Sequence, residues 1–198
     1  MTGKHFNSVC VFCGSRLGND ARYQAAASDL GDELVRCGMT LVYGGGQVGL
    51  MGVIADAVLD AGGRVIGVIP EALATKELIH PGTTEMHVVP SMHARKAKMA
   101  ELSDAFLALP GGFGTLEELL EVITWAQLGI HSKPTGVLNV AGFFDPLIQL
   151  IERGVKYDFI KPNHRELIVV HEEPAELLLR LLRHRLPKTR RWMEADES

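Results

Sequence analysis

Short apolar runs rich in β-branched residues alternate along this chain with longer stretches whose apolar residues recur at helical spacing. The pattern predicts strands over residues 8–13, 39–43, 64–69, 85–89, 104–109, 135–139 and 167–170. It predicts helices over 20–37, 50–61, 91–102, 115–128, 143–155 and 174–186. A strand with one wet face alternates apolar and polar residues, and these strands do not. They are buried on both faces, which calls for parallel strands joined by covering helices. The expected fold is therefore a doubly wound α/β domain, a Rossmann-like parallel sheet with helices on both faces. A length of 198 residues suits a single domain over 1–198, with its core at 8–186 and a basic, then acidic, tail at 187–198.

With 46% hydrophobic and 22% charged residues, the chain has enough apolar side chains for a sizeable core and is neither disordered nor a coiled coil. No apolar run approaches the roughly 18 residues that span a bilayer, so no membrane partner is expected. One lysine and the short apolar patch 9–12 do not make a secretory signal. A net charge of −4 argues against nucleic acid as a partner. The basic residues Arg180, Arg183, Arg185, Lys188, Arg190 and Arg191 read as a solvated helix end and tail. The chain reads as cytoplasmic.

Three cysteines make no disulfide framework. Cys10 and Cys13 spell C-x-x-C, but they fall in the first strand, where residues three apart point to opposite faces, so their role is structural. The eight histidines form no H-x-x-x-H or C-x-x-H cluster, and no metal site is expected.

In a doubly wound sheet, ligands bind beyond the carboxyl ends of the strands. Three glycine turns fall there: Gly14-Ser15-Arg16-Leu17-Gly18, Gly44-Gly45-Gly46-Gln47-Val48-Gly49, and Pro110-Gly111-Gly112-Phe113-Gly114-Thr115. Any one of them could be only a tight strand-to-helix turn. Three at one edge also fit an anion site lined by backbone amides and helix N-termini. The second turn matches G-x-G-x-x-G, but it follows the second strand, and the next strand ends too far on for the dinucleotide fingerprint. No turn continues as G-K-[ST], which excludes a P-loop. The segment 70–84 is a candidate loop or lid.

Thr115-Leu116-Glu117-Glu118 reads as a capping box, with Thr115 as N-cap and Glu118 reaching back to it. Yet Glu118 lies in the first turn of a helix that is apolar on two sides. Val122 and Trp125 continue its side, and Leu116, Leu119, Leu120 and Ile123 line the other. A carboxylate so placed needs a partner or a chemical task. In the 91–102 helix, Arg95 falls inside the stripe of Met92, Met99 and Leu102, flanked by Lys96 and Lys98. Such an arginine is either half of a structural ion pair or an anion clamp.

Two stretches resemble a known family. Pro110 to Glu118 has the form P-G-G-x-G-T-x-x-E, and Ser91-Met92-His93-Ala94-Arg95-Lys96 resembles its companion M-H-x-R-K element. Together they resemble the LOG ("Lonely guy") family of cytokinin riboside 5′-monophosphate phosphoribohydrolases, once mislabelled lysine decarboxylases. The resemblance covers about residues 8–186 and continues from Thr115 through Pro134. It implies hydrolysis of the N-glycosidic bond of a nucleoside 5′-monophosphate to ribose 5-phosphate and adenine or an N6-prenylated adenine. It implies a catalytic pair, Arg95 and Glu118. Substrate-binding positions carried over are Lys96, Thr124 and the run Gly111, Gly112, Phe113, Gly114, Thr115, Leu116 and Glu117, with Glu77 from the 70–84 segment. Ser15, Gly45, Gly46 and Met92 would line the same site. Arg16 departs from the commoner pattern, where many relatives have a small residue. Neither a metal nor an organic cofactor is implied, and the expected assembly is a homodimer or larger.

Other readings stay open at this point. A non-catalytic nucleotide or cofactor carrier could use the same glycine turns, although it needs neither Arg95 nor Glu118. A pyridoxal-dependent decarboxylase requires a Schiff-base lysine, and no lysine here has that context. A nicotinamide-dependent dehydrogenase is disfavoured by the misplaced fingerprint.

Overall fold

The computed structural model describes residues 6–75 and 78–187. Seven parallel strands form one sheet in the order β4-β3-β2-β1-β5-β6-β7. The strands are β1 (Ser8–Phe12), β2 (Thr40–Tyr43), β3 (Val65–Pro70), β4 (Glu85–Val89), β5 (Ala105–Ala108), β6 (Thr135–Leu138) and β7 (Ile168–His171). The helices are α1 (Ala21–Arg36), α2 (Gly49–Asp60), α3 (Met92–Glu101), α4 (Phe113–Leu128), α5 (Asp145–Lys156), α6 (Pro162–Arg165) and α7 (Pro174–Arg183).

Every residue of β1, β3, β5 and β6 is buried, as the absence of polar alternation requires. On one face Val9, Val11, Leu41 and Leu107 pack under α1, α2 and α7 through Leu30, Leu34, Ile54, Val58 and Leu177. On the other, Cys10, Phe12, Val42 and Phe106 meet Met99 of α3 and Val122 of α4. Ala108, Val137 and Ile168 meet Leu119 of α4, with Ile148 of α5 packed against them. Cys10 and Cys13 thus belong to cores on opposite faces of the sheet, both as free thiols.

The chain builds outward from β1 through β2, β3 and β4, then crosses to β5 on the other side of β1. That reversal opens a crevice above β1 and β5, the switch point where ligands bind in such sheets. The glycine turns converge there. Gly14 N donates to Pro110 O at 3.0 Å, and Leu50 N donates to Gly14 O at 3.0 Å.

Two expectations need correction. Helix α4 starts two residues earlier than predicted, with Gly112 rather than Thr115 as its N-cap. Gly111 has no Cβ, and one placed there would lie 2.1 Å from Thr115 Oγ1, so the threonine folds under the glycine instead of capping. No capping box forms, and Glu118 lies beyond the first turn, free for another partner. Leu120, expected to line the apolar side away from Glu118, is 42% exposed. The segment 70–84 is the connection between β3 and β4, in which Glu71–Leu73 forms a 3₁₀ turn and Ile79 makes an isolated bridge to Gly46. The short helix α6 carries too few residues to show a helical period. Glu77, Lys188, Arg190 and Arg191 lie outside the described residues, as do the other tail positions from 188 onward.

Candidate active site

A cavity of about 370 Å³ opens at the switch point. One rim is glycine backbone from the second and third turns, at Gly44, Gly46, Gly112 and Gly114. The amides of Phe113, Gly114 and Thr115 precede the first α4 backbone bond, from Leu116 N to Gly112 O at 3.1 Å. They leave a positive helix end without side-chain capping, suited to an anion. Ser15 and Thr115 also line the cavity. Met51, Ile69, Leu73, Leu78 and Met92 give the cavity an apolar wall.

Arg95 and Glu118 meet inside the cavity. Arg95 Nη1 lies 3.2 Å from Glu118 Oε1, with only 13% and 10% of the two side chains exposed. Arg95 Nε donates to Val68 O at 3.1 Å, which fixes the plane of the guanidinium. A Cβ on Gly44 would stand 2.1 Å from Arg95 Nη2, so the bare backbone of the second turn makes room for the arginine. Burial raises the Glu118 carboxyl above its ordinary value; Arg95 opposes that rise, and Glu117 adds to it. Burial also raises the Cys13 thiol, leaving it neutral and unreactive on the cavity wall.

Of the positions singled out in the sequence, Ser15, Gly46, Met92, Arg95, Gly112, Phe113, Gly114, Thr115, Glu117 and Glu118 line this cavity. Gly111 lines a neighbouring cavity of about 290 Å³, together with Arg16, and the two cavities share Ser15 and Gly112. Four positions lie off the wall. Gly45 packs beside Ile69 and Met86. Leu116 packs against the core. Lys96 Nζ bonds Glu117 and, at 2.9 Å, Glu121. Thr124 is exposed on α4 and bonds Leu120 O at 2.7 Å. Sequence reasoning missed Gly44 and Cys13, whose signals were the extra glycine of the G-G-G run and a place directly before the first turn. The apolar wall carried no motif.

A family model described as possible lysine decarboxylase matches residues 51–181. The chain is 54% identical over 181 residues to cytokinin riboside 5′-monophosphate phosphoribohydrolase LOG3 of Arabidopsis thaliana, covering 91% of this chain and 84% of that one. The chain belongs to the LOG family. It is likewise 54% identical to cytokinin riboside 5′-monophosphate phosphoribohydrolase LOG of Oryza sativa subsp. japonica, over 89% of this chain and 73% of that one. Among solved structures, the molybdenum cofactor carrier protein of Chlamydomonas reinhardtii matches with a TM-score of 0.67 at 21% identity, over 89% of this chain and 96% of that one. The molybdenum cofactor binding protein of Rippkaea orientalis matches with a TM-score of 0.66 at 20% identity, over 89% and 94%. At these identities the likeness is one of fold, so the LOG fold extends to carriers and function has to be argued from the site.

Proposed function

We propose that this LOG family chain hydrolyses the N-glycosidic bond of adenosine 5′-monophosphate or an N6-substituted relative, releasing the free base and ribose 5-phosphate. The observation that carries the reading is the buried Arg95–Glu118 pair beside an uncapped helix N-terminus. Its relatives at 54% identity, named cytokinin riboside 5′-monophosphate phosphoribohydrolases, support it.

The phosphate would sit at the start of α4, against the amides of Phe113, Gly114 and Thr115 and the hydroxyl of Ser15. That contact orients the ribose without taking part in the reaction. Water adds its hydroxyl to the anomeric carbon as the bond to the base breaks, and the departing ring nitrogen takes up a proton. The transition state resembles an oxocarbenium ion, so the Glu118 carboxylate stabilises positive charge or positions the water. Arg95 keeps that carboxylate ionised and aimed. The apolar wall from Met51 to Met92 suits a base bearing a hydrocarbon substituent.

The decarboxylase label does not fit this site. Pyridoxal phosphate needs a lysine for its Schiff base, and among the described residues no lysine lines the cavity. Lys96, the nearest in sequence to Arg95, is held by two carboxylates.

The same reading makes the protein a cytoplasmic homodimer or larger assembly. Free thiols at all three cysteines support the compartment. Phe113, 93% exposed, and Leu120 leave apolar surface on α4 near the outward-facing Thr124, which supports a second copy there.

The test is chromatography of the protein incubated separately with AMP and isopentenyladenosine monophosphate, without added metal or cofactor. Release of base together with ribose 5-phosphate is expected, and the ratio of rates gives the base preference. Nucleotide binding without release from either would put the carrier reading in its place.

A further inference from the structure

Leu73 and Leu78 belong to the connection between β3 and β4, yet both form part of the cavity's apolar wall. The limb carrying Leu78 is tied to the second glycine turn. Gln47 N donates to Leu78 O at 2.9 Å, His80 N donates to Gly45 O at 3.0 Å, and Ile79 bridges Gly46. Immediately afterwards the chain leaves the cavity, and there the His80 side chain is buried, with the residue 7% exposed. Its Nδ1 accepts from Gly82 N at 3.1 Å, so the ring proton sits on Nε2. Nε2 lies 3.0 Å from Asp56 Oδ1 on α2. Both ring nitrogens are therefore engaged, one with the connection itself and one with the helix beneath it.

Neither residue touches the chemistry. Helix α2 packs on the opposite face of the sheet from α3 and α4, which carry Arg95 and Glu118. What the His80–Asp56 bond secures is the exit of the limb that presents Leu78.

We propose that His80, held by Asp56, is a positioning residue for substrate binding: it fixes Leu78 against the glycine turn and so shapes the base-binding side of the cavity. The proposal rests on the nucleotide hydrolase reading above. Without the anchor, the wall has to be ordered each time a nucleotide enters, a cost paid on binding and absent from the chemical step.

The Asp56 side chain is 66% exposed, so Asp56→Ala removes the bond without opening a core cavity. In Asp56→Ala and His80→Ala, KM for isopentenyladenosine monophosphate should rise roughly three- to tenfold, the worth of one hydrogen bond, with kcat within about twofold. His80→Gln, whose amide still reaches Asp56, should recover part of the loss. Hydrogen exchange at the amides of Leu78, Ile79 and His80 should quicken in Asp56→Ala, which decides the case if His80→Ala does not fold. An unchanged KM, a fall in kcat alone, no gain from Gln over Ala, or unaltered exchange each overturns the proposal. If the wild-type protein releases no base, the hydrolase reading falls separately; exchange at the three amides then decides the anchor.

Discussion

Glu118 Oε1 and Arg95 Nη1 lie 3.2 Å apart across two helices, in a cavity where both side chains are almost wholly withdrawn from water. Such a pair contributes little net stability when intact, but losing one member leaves the other buried and uncompensated. Substitution at either residue should therefore cost stability as well as turnover.

Glu118→Gln keeps the volume of the side chain and removes only its charge. Turnover should fall by on the order of 10³-fold while nucleotide binding persists, as calorimetric titration with AMP would register. Arg95→Ala should lose turnover too, and thermal unfolding should show a destabilised fold, by about 3–5 kcal/mol if Glu118 stays ionised.

The raised Glu118 carboxyl predicts where activity fails in acid. Burial is the main cause, so the acid limb of kcat/KM should lie above the ordinary carboxylate range. Glu117→Gln removes a neighbouring negative charge that adds to the rise, and should move the limb to lower pH. For stability the sign is opposite to that of a depressed carboxyl. Folded Glu118 holds its proton to higher pH than the unfolded chain, so its contribution is lost as pH rises through the raised value.

Gly44→Ala should act as a catalytic lesion without any change in a titratable group. The added Cβ falls 2.1 Å from Arg95 Nη2 and must push the guanidinium off Glu118. A loss of kcat of about 10- to 100-fold, with circular dichroism unchanged, is the expected result. Wild-type kcat in the variant would show that the arginine's seat is not needed.

His131 carries a separate acid sensitivity. Burial lowers it to about 4, with Nε2 bonded to Val122 O at 2.9 Å and Nδ1 accepting from Lys133 N at 3.1 Å. The unfolded chain takes up this proton near pH 6.5 and the folded one only near 4. Stability should decline as pH falls between those values, by as much as about 3 kcal/mol once both are passed. Melting curves of wild type and His131→Gln across pH 7 to 4 should converge at the acid end.

Much of this architecture was legible because burial on both faces leaves an unmistakable mark. The runs that became β1, β3, β5 and β6 carry no polar residue in step with a wet face, and only a covered parallel sheet accepts that. Arg95 and Glu118 were legible for the same reason, as charged residues inside apolar stripes. Thr115 was misread as an N-cap because capping preference is local, whereas the missing Cβ of Gly111 that draws Thr115 beneath it is a contact across the turn.

By itself the sequence determined the alternation of elements, their burial and the residue types brought to the glycine edge, all of which follow from the period of apolar side chains along the chain. Only the tertiary structure decided that Arg95 meets Glu118, that Gly44 leaves space for the guanidinium and that His80 bonds Asp56 of α2. Each of those depends on a distance between elements far apart in the chain, set by strand order and by how closely bare backbone lets them approach.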